Sequence, residues 1–535
     1  MLNPSTRQPF IAPLALFAAI TAPTFLAACD APGAGDGAGN LVLQSSALTA
    51  QDRLAACAQD PRVVTGLVSQ QICAGADIFF RETFNGNGRT CGTCHPMSNN
   101  TTLDAAFIQS LPPTDPLFVF ERDPNLANLE TPDLRSLGGI LENIDGFEDP
   151  THKFSVRSVP HVLSMKTSTT PSTVDGTTIP PVERTGWGGD GAPGDGSLRQ
   201  FLNGAITQHY PKTLQRRVGI DFRLATNQEL DLVVAFQLAL GRLNELNLEQ
   251  VNLTDAIAQD GKIAFMDPFR GRCNVCHFNG GANDDATHTN RNFDTGTRTA
   301  QAFPTVPTFD GVFLFDGGFG GQGLAHPNFR AIEVPSQPGP NSFGNGTFNT
   351  PPVIEAADTL PSFHTNAFGG NIESTVSFYA TSLFLDSPAA RDLDQRFRAP
   401  VNVGPNISQI GRFLRALNVA LNLDMAKQRL RASQTVLNRY RDQQVTIQKE
   451  LIRLADAELV DALTLLSDPN IQQPFYPVSV DRINLARSEI VTALAAANSV
   501  GRQGPLSNAI SRVENARDPI GSNITFTLGQ GNLMF

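Results

Sequence analysis

Apolar residues recur at helical spacing in four stretches of the chain, and these set its expected architecture. Between Cys73 and Phe80 they predict a helix that leads into the first of two cysteine pairs. From Thr226 to Leu246, positions Leu230, Val233, Val234, Phe236, Leu238 and Leu240 predict a buried helix. Ile407 to Leu466 predicts long helices, with Phe413, Leu414, Leu417, Val419 and Leu421 on the apolar side and charged residues from Lys427 to Arg453. The tail beyond Asp468 mixes Pro-rich turns with one further helix near Val478 to Ala497. A spacing also repeats: Gly75-x-x-x-Phe79 precedes Cys91 much as Gly261-x-x-x-Phe265 precedes Cys273, an offset of 182 residues between the two cysteines.

Composition adds loops to this helical pattern. The 45 Gly and 37 Pro imply long ordered connections, notably Thr169 to Asp195 and Thr299 to Thr350. A net charge of -11 without a Lys/Arg cluster excludes nucleic acid as a partner. At the N-terminus a weakly basic start with Arg7 is followed by an apolar run from Phe10 to Ala28, broken by Pro13 and Pro23. Its end, Leu26-Ala27-Ala28-Cys29, looks like a bacterial lipoprotein cleavage box, which makes Cys29 the acylated first residue of the mature chain. The alternative is an ordinary secretory signal cut nearby. Both place the protein outside the cytoplasm, in the periplasm or at the cell surface, and the first places it on a membrane by its lipid. The Gly/Ala/Asp-rich stretch Ala31 to Asn40 reads as a flexible tether. In an oxidising compartment Cys57 and Cys73 either form a disulfide or remain buried free thiols.

The chemistry is carried by Cys91-Gly92-Thr93-Cys94-His95 and Cys273-Asn274-Val275-Cys276-His277. In C-x-x-C-H two thiols lie about one turn apart, placed to form thioethers to one porphyrin, and the adjacent His reaches its iron. A zinc or redox pair is the reading for a lone C-x-x-C, and the terminal His of both copies argues against it. With 7 Cys and 8 His in 535 residues, a chance copy arises in roughly one chain in a thousand, so two copies exclude coincidence. Two covalently bound haem c groups are therefore expected, haem 1 on Cys91, Cys94 and His95 and haem 2 on Cys273, Cys276 and His277. Apolar pockets around porphyrins account for 35 Phe beside one Trp and four Tyr. The expected fold is all-α: two cytochrome c-like haem domains with long loops (51–225 and 226–390) and a C-terminal helical extension (391–535), after a signal peptide (1–29) and tether (30–50).

Over residues 70 to 390 the chain resembles the bacterial dihaem cytochrome c peroxidase superfamily, which includes a dihaem cofactor-maturation enzyme and dihaem rubber oxygenases. Three further stretches carry the likeness. Val156-Arg157-Ser158-Val159-Pro160, followed by Thr185-Gly186-Trp187-Gly188-Gly189-Asp190-Gly191, is similar to the family's R-x-x-P segment and Trp-Asp-Gly loop, which implies that Trp187 bridges the haems; an ordinary core Trp is the alternative. Thr359-Leu360-Pro361-Ser362-Phe363-His364 resembles T-x-P-x-F-H, whose Thr and Pro carbonyls bind calcium, with Asn143 one candidate for the remaining ligand. Ile372 to Tyr379 resembles the segment bearing the second axial ligand of the C-terminal haem, with Tyr379 in the Met place. The resemblance makes Tyr379 the distal ligand of haem 2, His364 the alternative, and packing the remaining role for either.

The chain also departs from that family. No His occurs from Pro96 to Thr151, and His152 and His161 come late, so haem 1 is expected to be five-coordinate, open to a diatomic ligand or peroxide. Ser197 to Ala205 resembles the distal helix S-L-x-x-Q-A-x-G-P with Phe201 in the Gln place, as in the rubber oxygenases, and no acid follows through Arg217. His209 either supplies the missing proton transfer or pairs with a propionate or the backbone. His288 and His326 read as solvated loop residues. The expectation is an exported dihaem oxidoreductase in which haem 1 meets dioxygen or hydrogen peroxide and haem 2 relays electrons from a small redox protein, a cytochrome c or cupredoxin. A true cytochrome c peroxidase and a non-catalytic electron carrier remain the rivals.

Overall fold

Helix is favoured almost wherever the chain has a capping residue ahead of an apolar face. The computed structural model describes residues 48–126, 135–136, 138–142, 153–169, 183–189, 196–285, 287, 290–300, 312–313, 315–316, 318–319, 342–343, 346–469, 471 and 473–535. Cys29, most of the 30–50 tether, Asn143, His152, Asp190, Gly191, His288 and His326 lie outside these residues, as do most of the two long loops. Helix makes up 55% of the structure and strands are few.

The first half begins with α1 (Ala50–Cys57) and α2 (Gln70–Arg81). Thr49 and Asp52 cap α1 reciprocally and the Ser69 hydroxyl accepts from Ile72 N at the start of α2. The Cys57–Cys73 disulfide ties these helices together, with Cα atoms 5.8 Å apart. After the antiparallel pair β1 (Gly139–Glu142) and β2 (Lys153–Ser158) come α3 (Leu198–His209) and α4 (Asn227–Gln237). The second half carries α5 (Ala256–Met266), the two-residue antiparallel pair β3 (Asn292–Phe293) and β4 (Phe348–Asn349), and α6 (Ile372–Ser377). Four helices complete the chain: α7 (Ile407–Tyr440), α8 (Val445–Leu466), α9 (Pro477–Ala495) and α10 (Ser499–Arg517).

The Gly-x-x-x-Phe repeat has a physical cause. A Cβ on Gly75 would lie 2.0 Å from the carbonyl oxygen of Leu232 in α4, and one on Gly261 would lie 1.8 Å from that of Gln409 in α7. Only glycine permits both crossings. One turn on, Phe79 meets Phe236 with ring centroids 5.2 Å apart, and Phe265 meets Phe413 at 5.3 Å. Each cysteine motif thus follows a helix that crosses a later helix through the same Gly and Phe. The second copy draws its crossing helix from beyond residue 390.

Two large apolar clusters form within residues 47–535. One gathers α1 to α4 with Leu451 and Leu454 of α8 and the C-terminal Leu533 and Met534. The other gathers α5 and α6 with most of α7 to α10. The C-terminal helices therefore contribute to both clusters.

Two expectations need correction. The helix predicted from Thr226 to Leu246 ends at Gln237, because Gly241 takes φ +67° where the chain folds against Ser164. The tail holds two helices beyond Asp468, not one: α10 is disguised by Gly501, Gly504 and Pro505, yet Arg502, Leu506, Ala509, Ile510 and Val513 make a buried helical face. No helix among the described residues is long and apolar enough to cross a membrane.

Candidate functional site

Both cysteine motifs fold into tight turns, and each turn presents its histidine the same way. Cys91 to Cys94 is a single helical turn closed by His95 N donating to Cys91 O at 2.9 Å; Cys273 to Val275 is a 3₁₀ turn closed by His277 N donating to Cys273 O at 2.9 Å. His95 Nδ1 lies 2.8 Å from Thr101 O, and His277 Nδ1 lies 3.0 Å from Pro351 O. A carbonyl oxygen only accepts, so Nδ1 carries the proton and Nε2 keeps its lone pair. Burial lowers both imidazoles to about 4, against the pull of their carbonyl partners, so they are neutral at ordinary pH. Burial likewise pushes the Cys91 thiol up to about 11 and those of Cys273 and Cys276 up to about 12.

These six residues line one cavity of about 390 Å³. Trp187, Phe201, His209, Tyr379, His364, Thr359 and Pro361, dispersed over nearly two hundred residues of sequence, line it too. Of the site residues expected from the sequence, Cys29 and Asn143 lie outside the described residues, and the disulfide-bonded Cys57 and Cys73 do not line it.

On the side of the first motif, α3 lays Leu198, Phe201, Ala205 and Gln208 along the cavity at helical spacing. A Cβ on Gly186 would come 3.1 Å from the Phe201 ring, so Phe201 also packs beneath the Trp187 loop. His209 and His161 lie close enough to His95 to lower its proton affinity further. Tyr210 donates its hydroxyl to Cys91 Sγ at 3.1 Å. On the side of the second motif, Tyr379 packs edge-on against Phe384 with centroids 4.8 Å apart. Burial raises its phenol, Cys276 and Cys273 raise it further, and all three line the cavity. His364, 2% exposed, stacks on Phe348 at 4.1 Å while its carbonyl accepts from Ser158 N at 2.7 Å. Thr359 uses its hydroxyl to donate to Glu355 O at 2.8 Å. Among the described residues no three His, Cys, Asp or Glu side chains converge as they would around a bare metal ion.

The walls suit a porphyrin. Each motif offers two thiols and a lone-pair nitrogen, most of the lining is apolar, and the buried Arg89, Arg157, Arg184 and Arg272 border it, matching the propionates of a haem. Among the described residues, both amide atoms of Gln208 and the amide oxygen of Gln237 are buried at this cavity without a protein partner. Buried amides are ordinarily paired, so these atoms are open to a polar group entering the cavity. Sequence reasoning passed over Gln208, although it stands seven residues after Phe201 and so on the same helix face. It passed over Gln237 and Tyr210 as well, for which only the fold gives a signal. No family model, curated protein or solved structure matches this chain.

Proposed function

We propose that the chain is an exported dihaem c-type oxidoreductase, lipid-anchored through Cys29, that uses dioxygen or hydrogen peroxide at the first motif and exchanges electrons at the second. One observation carries this reading: two C-x-x-C-H turns, each with its histidine oriented through Nδ1 by a backbone carbonyl, line a single apolar cavity. Cys91 and Cys94 would hold one haem with His95 on its iron, and Cys273 and Cys276 the other with His277. When bound, the two groups supply redox-active irons. The chain's own residues then set access and direction. Thr101 O and Pro351 O keep the imidazoles in the Nδ1–H tautomer, which leaves Nε2 basic. Phe201 keeps one face of the first site apolar and excludes water, while His209 at the end of α3 can take up or give a proton. Trp187 contributes an indole on the wall shared by both motifs, suited to passing an electron. A small redox protein, a cytochrome c or cupredoxin, is the donor in this scheme.

A second reading, hydrogen peroxide reduction proper, is favoured by His209 bordering the cavity, since an imidazole can serve as the proton donor that O–O cleavage needs. Purified protein assayed as the pyridine haemochrome should give two haems per chain, and fewer rejects the proposal. Ferric EPR should show one high-spin centre; two low-spin centres would leave an electron carrier. Turnover of peroxide with a reduced cytochrome, set against turnover of dioxygen with an apolar polyene, separates the two enzymatic readings.

A further inference from the structure

The loop that carries the chain's sole tryptophan belongs to the first half, but the N–H groups that fasten its backbone come from the second. All three carbonyls around the indole are bonded. Asn349 Nδ2 donates to Gly186 O at 3.2 Å, Asn349 N donates to Trp187 O at 2.9 Å, and Asn292 Nδ2 donates to Gly188 O at 2.7 Å. Asn292 and Asn349 are directly paired across β3 and β4, so one two-stranded ribbon presents all three donors. From the other side the indole Nε1–H donates to Ser158 O at 3.0 Å, and Ser158 in turn bonds back to the second half, donating N to His364 O at 2.7 Å and Oγ to Phe363 O at 2.9 Å. The fit is tight. Gly186 and Gly189 hold φ of +69° and +67°, and a Cβ on Gly189 would stand 2.5 Å from Asn292 Oδ1. The backbone on both sides of Trp187 is therefore fixed in a conformation and a proximity that only glycine provides.

We infer that Asn292 and Asn349 are positioning residues for the Trp187 indole, a clasp through which the second half sets the electron path between the two cysteine-histidine motifs. This rests on the dihaem reading. Its redox content is one electron: a reduced centre at one motif loses it, an oxidised centre at the other gains it, and the indole ends unchanged with its N–H still on Ser158 O. A loop held by one bond would let the ring swing about its backbone. Four bonds at three consecutive carbonyls and the indole nitrogen leave it one placement, and electron transfer falls off with the separation of the redox groups.

The single tryptophan gives a direct test, because 5-fluorotryptophan labelling of the whole dihaem protein yields one ¹⁹F resonance. Asn349→Ala and Asn292→Ala should each shift or broaden that resonance and slow electron transfer between the centres several-fold, measured by photolysis of carbon monoxide from the half-reduced protein. In a Trp187→Phe background, followed by the same photolysis, Asn349→Ala should change the rate by no more than about twofold, since both changes act on one path. A resonance unmoved in both variants overturns the clasp. So does a rate loss of equal size with and without the indole, which would mark a general structural defect. If the resonance moves while Trp187→Phe leaves the rate intact, the positioning role in electron transfer falls. A protein with fewer than two haems sinks the functional reading instead, and the ¹⁹F comparison still decides whether the asparagines hold the ring.

Discussion

Replacing Glu458 by Gln should flatten the dependence of stability on pH across the neutral range. Glu458 sits on α8 at 2% exposure. Its Oε1 accepts from Arg429 Nη1 at 2.6 Å, and Oε2 has no partner among the described residues. Burial pushes the carboxyl up, the Arg429 guanidinium pulls it down, and Asp461 pushes it up again, leaving it at about 7 from an ordinary 4.5. In the unfolded chain the group ionises near its ordinary value while the folded protein still holds the proton. Stability is therefore full below about pH 4.5 and is lost as pH rises through about 7. At about 1.4 kcal/mol per unit the shift corresponds to a loss of about 3 kcal/mol. Asp461, one turn on, is pushed up to about 6 by burial and titrates in the same sense, so the dependence should shrink in the variant without vanishing.

Urea unfolding of the whole protein, followed by far-ultraviolet circular dichroism from about pH 5 to about pH 8, measures the effect. Glu458→Gln carries a constant cost from the weaker Arg429 contact. What matters is its difference from wild type, which should move by up to about 3 kcal/mol in favour of the variant as pH rises. Parallel curves would refute the reasoning, because a group that ionises alike in both states contributes no slope.

Three further outcomes follow from particular contacts. Arg242, fully buried, donates Nε to Glu355 Oε1 at 2.9 Å, and burial pushes Glu355 up less than Arg242 and its other neighbours hold it down; Arg242→Met strands that carboxylate and should cost about 3–5 kcal/mol in the same unfolding assay. Cutting the Cys57–Cys73 bond, which spans 16 positions, with Cys57→Ala should lower the unfolding free energy by about 3 kcal/mol while two haems are retained in the haemochrome assay. Phe201→Gln should raise peroxide turnover roughly tenfold, the worth of one hydrogen bond offered to the ligand, and an unchanged ratio of peroxide to dioxygen turnover counts against an apolar first site.

Local signals carried the sequence reading well where one element decides. The helix expected over Cys73 to Phe80 spans Gln70–Arg81, and that expected near Val478 spans Pro477–Ala495, because their apolar faces are continuous. The long helical stretch from Ile407 is one element until Tyr440 and another from Val445, since Arg441 and Gln444 adopt φ of 53° and 55°, a break that no Gly or Pro announces. The motif residues were legible because five consecutive positions supply all their chemistry. Gln208 was hidden because its meaning depends on which face of α3 meets the cavity. Asn292 and Asn349 were hidden more deeply: they act 105 and 162 residues away from Trp187 through backbone carbonyls, which leave no mark on the sequence of the loop they hold.

That kind of long-range fastening explains how two motifs far apart in sequence come to border one cavity. The carbonyl that orients His95 is on Thr101, whose neighbour Asn100 donates to Asp461 Oδ2 on α8 at 3.1 Å and to Asp358 O at 3.3 Å. The carbonyl that orients His277 is on Pro351, two residues after the asparagine that fastens the Trp187 loop. Each histidine therefore takes its orientation from a segment anchored outside its own half. The C-terminus tightens the same brace: Asn532 Oδ1 accepts from Gly241 N at 2.7 Å, and its carbonyl accepts from Arg429 Nε at 3.1 Å. Loosening α8 or the chain end should thus disturb the first motif despite a separation of hundreds of residues, whereas two self-sufficient haem units would each tolerate the loss. The pH dependence of Glu458 bears on this coupling too, since Glu458 and Asp461 stand one turn apart on the helix that holds Asn100 in place.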